Sequence, residues 1–214
     1  MNPTGNATDE QLALAIDAVA MPGVLIGHRL IAEGDDLALL PEEMAGFAGS
    51  VIKVRRASGA ARIVARQLMS RLGRAPQPIP RSTAGMPVWP GGIVGSLAHD
   101  ARIAVAVMAR QDDFLGVGVD IEPAEPLGGD LLGIVATATE RRAIDDDLHR
   151  GRLLFSIKEA IYKAVYPLDG TFLDHHDVEV DLPAGTATVR KGRVIPFRYC
   201  VATHIMALAF VKAA

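Results

Sequence analysis

The chain has 214 residues, half of them hydrophobic, with a formal net charge of −3 and a single cysteine, Cys200. That length fills one large core or two small ones, and the hydrophobic share excludes disorder as the default. The small net charge gives no general case for nucleic acid, and one thiol excludes an intrachain disulfide, as suits a reducing cytoplasm.

In chain order, Met1–Glu10 is polar and lacks the basic flank of a signal peptide. Leu12–Ile31 is apolar but carries Asp17, Pro22, Gly23, His28 and Arg29, which predicts a short helix (Leu12–Val19) and a turn, not a membrane span. A strand is expected over Val24–Ala32. A helix follows over Pro41–Phe47, with proline near its start and Glu42 and Glu43 in the first turn. Lys53–Leu72 reads as a long helix, with Val64, Leu68 and Leu72 on one face. Gly73–Pro90 is a proline- and glycine-rich loop. Ile93–Leu97 and Ile103–Met108 form a strand pair with His99 and Asp100 in the turn. After a polar connector, Gln111–Phe114, come a strand over Val117–Ile121, a helix opened by Thr139, and a helix over Arg152–Val165 that ends before Pro167. Four strands close the chain: Val178–Leu182, Thr186–Val189, Arg198–Thr203 and Met206–Val211. Helices and strands mix in both halves without regular alternation, so the expected class is α+β, divided into residues 1–112 and 113–214.

Charge is segregated. Met44–His99 contains no Asp or Glu but eight Lys and Arg, whereas Asp112–Asp147 carries ten acids against Arg141 and Arg142. A basic and an acidic stretch in one chain suggest a polyanion held by one half and a metal by the other.

Two short runs carry the chemistry. In Gly116-Val117-Gly118-Val119-Asp120-Ile121-Glu122-Pro123 the alternation of a strand sends Asp120 and Glu122 to one side, with the glycines on that face leaving room for a ligand. In Phe155-Ser156-Ile157-Lys158-Glu159-Ala160-Ile161-Tyr162-Lys163-Ala164 helical spacing puts Glu159 and Lys163 one turn apart on one face. Taken alone, each run is an ordinary surface feature. Taken together, three hard oxygen ligands and a lysine describe a magnesium site that handles phosphate, with Glu159 as third ligand or general base and Lys163 as phosphate clamp. His99 follows Gly95-Ser96 at a strand end, where an anion contact is open to it. Arg55, Arg62 and Arg66 share a helix face, Arg81 precedes Gly85-Met86-Pro87-Val88-Trp89-Pro90, and Trp89 is expected in the core.

These runs, with Arg62-x-x-Ala65-Arg66, Gly85-x-Pro87-x-Trp89-Pro90-x-Gly92 and Gly95-Ser96-x-x-His99, resemble in order and spacing those of the broad-specificity 4′-phosphopantetheinyl transferases that serve siderophore, polyketide and peptide synthases, closest to the actinobacterial type. The resemblance covers Arg55 to Pro167. It implies two similar α+β halves about a pseudo-twofold axis, coenzyme A in the cleft between them, and transfer of its phosphopantetheine arm to a serine of an apo acyl or peptidyl carrier protein, releasing adenosine 3′,5′-bisphosphate. It further implies that Asp120, Glu122 and Glu159 hold Mg²⁺ (or Mn²⁺), and that Glu159 takes the serine proton directly or through a metal-bound water. Lys163 neutralises the diphosphate, Ser96 and His99 contact phosphates, and Arg55, Arg62 and Arg81 cradle the 3′-phosphate with Lys158 nearby. The two-half build makes a monomer the expected state, in the cytoplasm, without nucleic acid or membrane. Phe155 stands where many members have Trp, and His175 and His176, which match nothing in the family pattern, read as loop.

Two other readings compete: a metal-dependent phosphodiesterase, since three carboxylates and a lysine suit that chemistry too, and a non-catalytic protein that binds coenzyme A or a carrier.

Overall fold

The computed structural model describes residues 12–213; the polar opening Met1–Glu10 lies outside them. A helix over residues 12–19 (α1) precedes β1 (Val24–Leu30), the short α2 (Pro41–Met44) and the long α3 (Ile52–Arg71). The hairpin β2 (Ile93–His99) and β3 (Ile103–Arg110) completes the first half. The second half runs β4 (Phe114–Pro123), α4 (Leu132–Val135), α5 (Ala138–Ala143), α6 (Leu148–Asp169), β5 (Val178–Asp181), β6 (Thr186–Val189), β7 (Val194–Val201) and β8 (His204–Lys212). The strands form two antiparallel sheets, ordered β1-β3-β2 and β4-β8-β7-β6-β5.

The period of two along the central strands builds the layers. On β3, Ile103, Val105, Val107 and Ala109 face a shared core with Val117, Val119 and Ile121 of β4 and Met206, Leu208 and Phe210 of β8. The alternate residues Ala106 and Met108 turn instead to Val64, Leu68 and Met69 of α3. Likewise Ala207 and Ala209 of β8 turn to Ile157, Ala160, Ile161 and Ala164 of α6. The result is α3, sheet, sheet, α6, with the central core between the sheets. Each large side chain buried there contributes about 1.5–3 kcal/mol.

The halves repeat one another. Strand, long helix, strand, strand assemble as β1-β3-β2 around α3 and as β4-β8-β7 around α6. In each, a short helix presents a buried glutamate, Glu43 or Glu140, whose carboxylate caps its own helix start and then receives a cation of the long helix and a backbone N–H from downstream. Arg66 and the Ile79 N–H meet Glu43; Lys158 and the Val180 N–H meet Glu140.

Several expected boundaries move. The N-cap before Glu140 is Thr137, not Thr139, because only Thr137 stands three residues ahead of Glu140 and closes a reciprocal capping box. Helix α6 begins at Leu148, capped by Asp147, and runs through Pro167 to Asp169. Pro167 is tolerated because in the last turn it forfeits one intrahelical bond, and Gly170, at φ 68°, closes the helix. The room left by the β4 glycines belongs to the helix, not to a ligand. A Cβ on Gly116 would fall on the Ala164 carbonyl oxygen, and one on Gly118 on that of Ala160. Gly116 and Gly118 let the α6 backbone lie directly on β4.

Candidate active site

That close approach brings Lys163 onto Asp120. Asp120 is buried on β4, and Lys163 Nζ donates to its Oδ1 at 2.7 Å and to the Val119 carbonyl at 3.3 Å. The other oxygen, Oδ2, is buried with no hydrogen-bond partner. Ser156 on α6 lies near enough to help hold the charge, yet its hydroxyl also lacks a partner of hydrogen-bond geometry. Burial raises the Asp120 carboxyl above its ordinary range, Lys163 opposes this, and the charge of Glu159 adds to it.

Glu122 projects half-buried two residues on. Its Oε2 accepts from Arg152 Nη1 at 2.9 Å. Its pKa is also raised, first by burial and then by Asp120. Glu159 is held below the ordinary glutamate range, chiefly by His175, whose Nε2 lies 3.4 Å from Oε1, with Lys163 assisting. Each acid thus faces its own basic partner: Lys163 for Asp120, Arg152 for Glu122 and His175 for Glu159. Among the described residues no three His, Cys, Asp or Glu side chains converge as an ion-binding group. The donor chemistry nevertheless fits a hard divalent cation: all ligand atoms are oxygens, Asp120 Oδ2 is buried and unsatisfied, and two of the acids repel each other.

A cleft of about 640 Å³ opens between the halves beside Glu159, lined by Trp89, Gly95 and Ser96 from the first and by Gly116, Glu159 and Lys163 from the second. Trp89 packs against the α3 core and also forms this wall, lying across Gly95. Ser96 is buried in it. His99, the last residue of β2, is held below the ordinary imidazole range, first by desolvation and further by the charge of Lys163.

The expected phosphate cations divide. Arg81 is exposed, its Nε donating to the Gly85 carbonyl at 3.1 Å and its guanidinium lying 5.0 Å from the Phe47 ring centroid. Arg55, in the first turn of α3, has a buried Nε without a partner. Arg62 lies against the same Phe47 ring but is 3% exposed and spent on the Ile79 and Ser58 carbonyls. Its pKa is lowered to about 10 by burial, with Arg81 and Arg66 adding and Glu43 opposing. Arg66 is bound to Glu43 and the Ala38 carbonyl.

Lys158 does not line this cleft. It is 2% exposed, and its ammonium donates to the Val135 carbonyl, Glu140 and the His175 carbonyl at 2.9, 2.7 and 2.8 Å, which fills all three donors. Its work is to anchor the segment bearing His175, whose ring stacks on Phe155 at 5.5 Å between centroids. His175 and Arg152, the partners of Glu159 and Glu122, escape sequence reasoning. Arg152 had a findable signal, since it faces the same side of α6 as Glu159 two turns earlier; a histidine in a loop has none.

A family model of the 4′-phosphopantetheinyl transferase N-terminal domain matches residues 42–109, and one of the 4′-phosphopantetheinyl transferase superfamily matches residues 116–209. The 4′-phosphopantetheinyl transferase Svp of Streptomyces mobaraensis is 40% identical over 168 residues, covering 74% of this chain and 68% of Svp. PptT of Mycobacterium tuberculosis is 38% identical over 156 residues, covering 71% of this chain and 69% of PptT. Npt of Nocardia iowensis is 36% identical over 177 residues and covers 80% of each. The chain belongs to the 4′-phosphopantetheinyl transferase superfamily. It is a transferase that moves phosphopantetheine from coenzyme A to carrier proteins, and these three relatives are of the actinobacterial type that its motifs resemble.

Proposed function

We propose that coenzyme A lies in the cleft between the halves, divided near Asp112, with its diphosphate over Asp120, Lys163 and Ser96 and its 3′-phosphate toward Arg81 and Arg55. The observation that carries this reading is Asp120: a buried carboxylate with Lys163, which lines the cleft, on one oxygen and no hydrogen-bond partner on the other. Asp120, Glu122 and Glu159 would hold Mg²⁺, with Mn²⁺ an acceptable substitute for an all-oxygen site. The ion, when bound, supplies charge neutralisation for the diphosphate.

The residues of the chain do the rest. Lys163, one turn beyond Glu159, offers a compact positive charge to the oxygen on which negative charge develops as the phosphoanhydride bond breaks. Glu159, a carboxylate at neutral pH that His175 and Lys163 hold further toward the ionised form, accepts the proton of the carrier serine. The serine oxygen bonds to the arm's phosphorus, and adenosine 3′,5′-bisphosphate departs. Phosphoryl transfer of this kind needs positioning and charge neutralisation above all. Arg62 contributes positive potential from beneath Phe47 without touching substrate. His99 adds a neutral donor to the phosphate end. Lys158 acts through the fold alone.

No helix among the described residues is long and apolar enough to cross a membrane. We place the enzyme in the cytoplasm as a monomer acting on synthase-type carrier proteins, without nucleic acid. The test is to incubate it with apo acyl carrier protein, coenzyme A and Mg²⁺ and to measure the intact carrier mass with and without EDTA. A chelator-sensitive gain of one phosphopantetheine arm supports transfer and metal together. Coenzyme A binding without mass gain across several carriers would mean a binding protein, and cleavage of added nucleic acid a phosphodiesterase.

A further inference from the structure

Asp100 and His204 have no part in the chemistry above, yet they form the best-satisfied polar contact between the halves. Asp100 follows His99 at the β2–β3 turn, and His204 opens β8. His204 Nε2 stands 3.0 Å from Asp100 Oδ2, with side chains 9% and 7% exposed. Asp100 Oδ1 accepts the backbone N–H groups of Arg102 and Ile103 at 2.6 and 2.7 Å, and Thr203 Oγ1 lies 3.1 Å from His204 Nδ1. Both carboxylate oxygens and both ring nitrogens are thus engaged, and a buried polar network with every member satisfied is rigid and directional.

Its position gives that rigidity a use. Among the described residues no strand of one sheet is hydrogen-bonded to a strand of the other. The central core that joins them is apolar and non-directional. The contact from Arg198 Nη1 to the Ala20 carbonyl, 2.5 Å long, ties β7 to the segment before β1. Asp100 and His204 tie the far end of β2, next to His99, to the strand paired with β4 beside Glu122.

We propose that the Asp100–His204 pair is a clasp between the halves that fixes the phosphate end of the cleft, holding Ser96 and His99 at a set distance from Lys163 and Asp120. Both are positioning residues, and the clasp rests on the reading of this cleft as the coenzyme A site. It preorganises the cleft, so its loss falls on coenzyme A affinity and spares the carrier.

The test compares three variants of the whole chain by calorimetric titration with coenzyme A and Mg²⁺, by separate KM values for coenzyme A and carrier, and by thermal melting. His204→Phe fills the space and removes the donor; His204→Gln keeps an N–H that can reach Asp100; Arg198→Ala cuts the other cross-link. His204→Phe is expected to weaken coenzyme A binding about tenfold or more with the carrier KM unchanged. His204→Gln is expected to recover most of the affinity, and Arg198→Ala to bind as the wild type does. If His204→Phe does not fold, Asp100→Asn, which weakens the acceptor and keeps its shape, takes its place with the same expected pattern. Unchanged coenzyme A affinity in the donor-free variant overturns the clasp, as does equal weakening in Arg198→Ala. A wild type that binds coenzyme A but transfers nothing would overturn the proposed chemistry instead, and the clasp would still be judged on the dissociation constants.

Discussion

At Asp120 burial opposes charge: the carboxyl is raised above its usual range although Lys163 donates to it. A group whose folded pKa exceeds its unfolded value favours folding below the unfolded value and loses that contribution as pH rises through the folded one. Asp120→Asn should therefore raise the melting temperature of the metal-free protein at about pH 8 and leave it unchanged near pH 3, where the wild-type side chain is already protonated in both states. The same variant should transfer no phosphopantetheine. Thermal melts at the two pH values and the carrier mass assay check both halves of this expectation. Lys158 is the contrasting case. Removing it strands Glu140 in the interior, so Lys158→Ala should cost about 3–5 kcal/mol in denaturant unfolding. A merely phosphate-binding lysine would cost almost nothing there. The meeting of Asp120 with Lys163 was legible because strand and helix periods decide which faces they share. The burial of Arg62 and Lys158 was not, because the carboxylates that engage them, Glu43 and Glu140, are remote in sequence, and burial of a cation cannot be read from spacing.

Between elements, the decisive contact is α6 on β4. Gly118→Ala would drive a methyl group into the Ala160 carbonyl, a backbone atom that cannot step aside. The variant should lose about 3 kcal/mol or more and much of its kcat as Lys163 and Glu159 shift from Asp120. At the matching place in the first half, Gly27→Ala meets only the side chains of Val64 and Leu68, which can repack. It should be the milder substitution in both unfolding and turnover measurements. That glycine pattern was visible in the sequence, but its purpose was not: a strand glycine admits a ligand or a neighbouring backbone equally well. The long helices and the central strands were found within a few residues. The short α4 was not, since one turn has no periodicity, and α6 ran past the expected stop because proline's cost depends on its place in the helix.

Across the whole molecule, the proposed function puts 3′-phosphate binding and chemistry on different halves. The exposed Arg81 belongs to the first half and the acids and Lys163 to the second. Arg81→Ala should raise the KM for coenzyme A about tenfold, leave kcat nearly unchanged, and barely affect 3′-dephospho-coenzyme A. Steady-state kinetics with the two substrates would show it, and equal losses for both would remove Arg81 from the 3′-phosphate. The basic stretch that suggested this division is less unbalanced than it looks, because Glu33, Asp36 and Glu43, all upstream, pair with three of its eight cations, Arg56, Arg62 and Arg66.

The repeat of strand, helix and buried glutamate has a consequence for how such an enzyme can change. Val64 and Leu68 lie over Gly27 as Ala160 and Ala164 lie over Gly118, a register that matches Arg62, not the glutamate-bound Arg66, to Lys158, so the counterparts of Glu159 and Lys163 in the first half are Ile63 and Gln67. One copy of the scaffold keeps the struts and carries no reactive groups. Freed from chemistry, it can vary its loops and arginines to suit a different nucleotide handle while the other copy stays fixed on the transfer itself. Substrate drift and catalytic constancy are thereby uncoupled within a single chain.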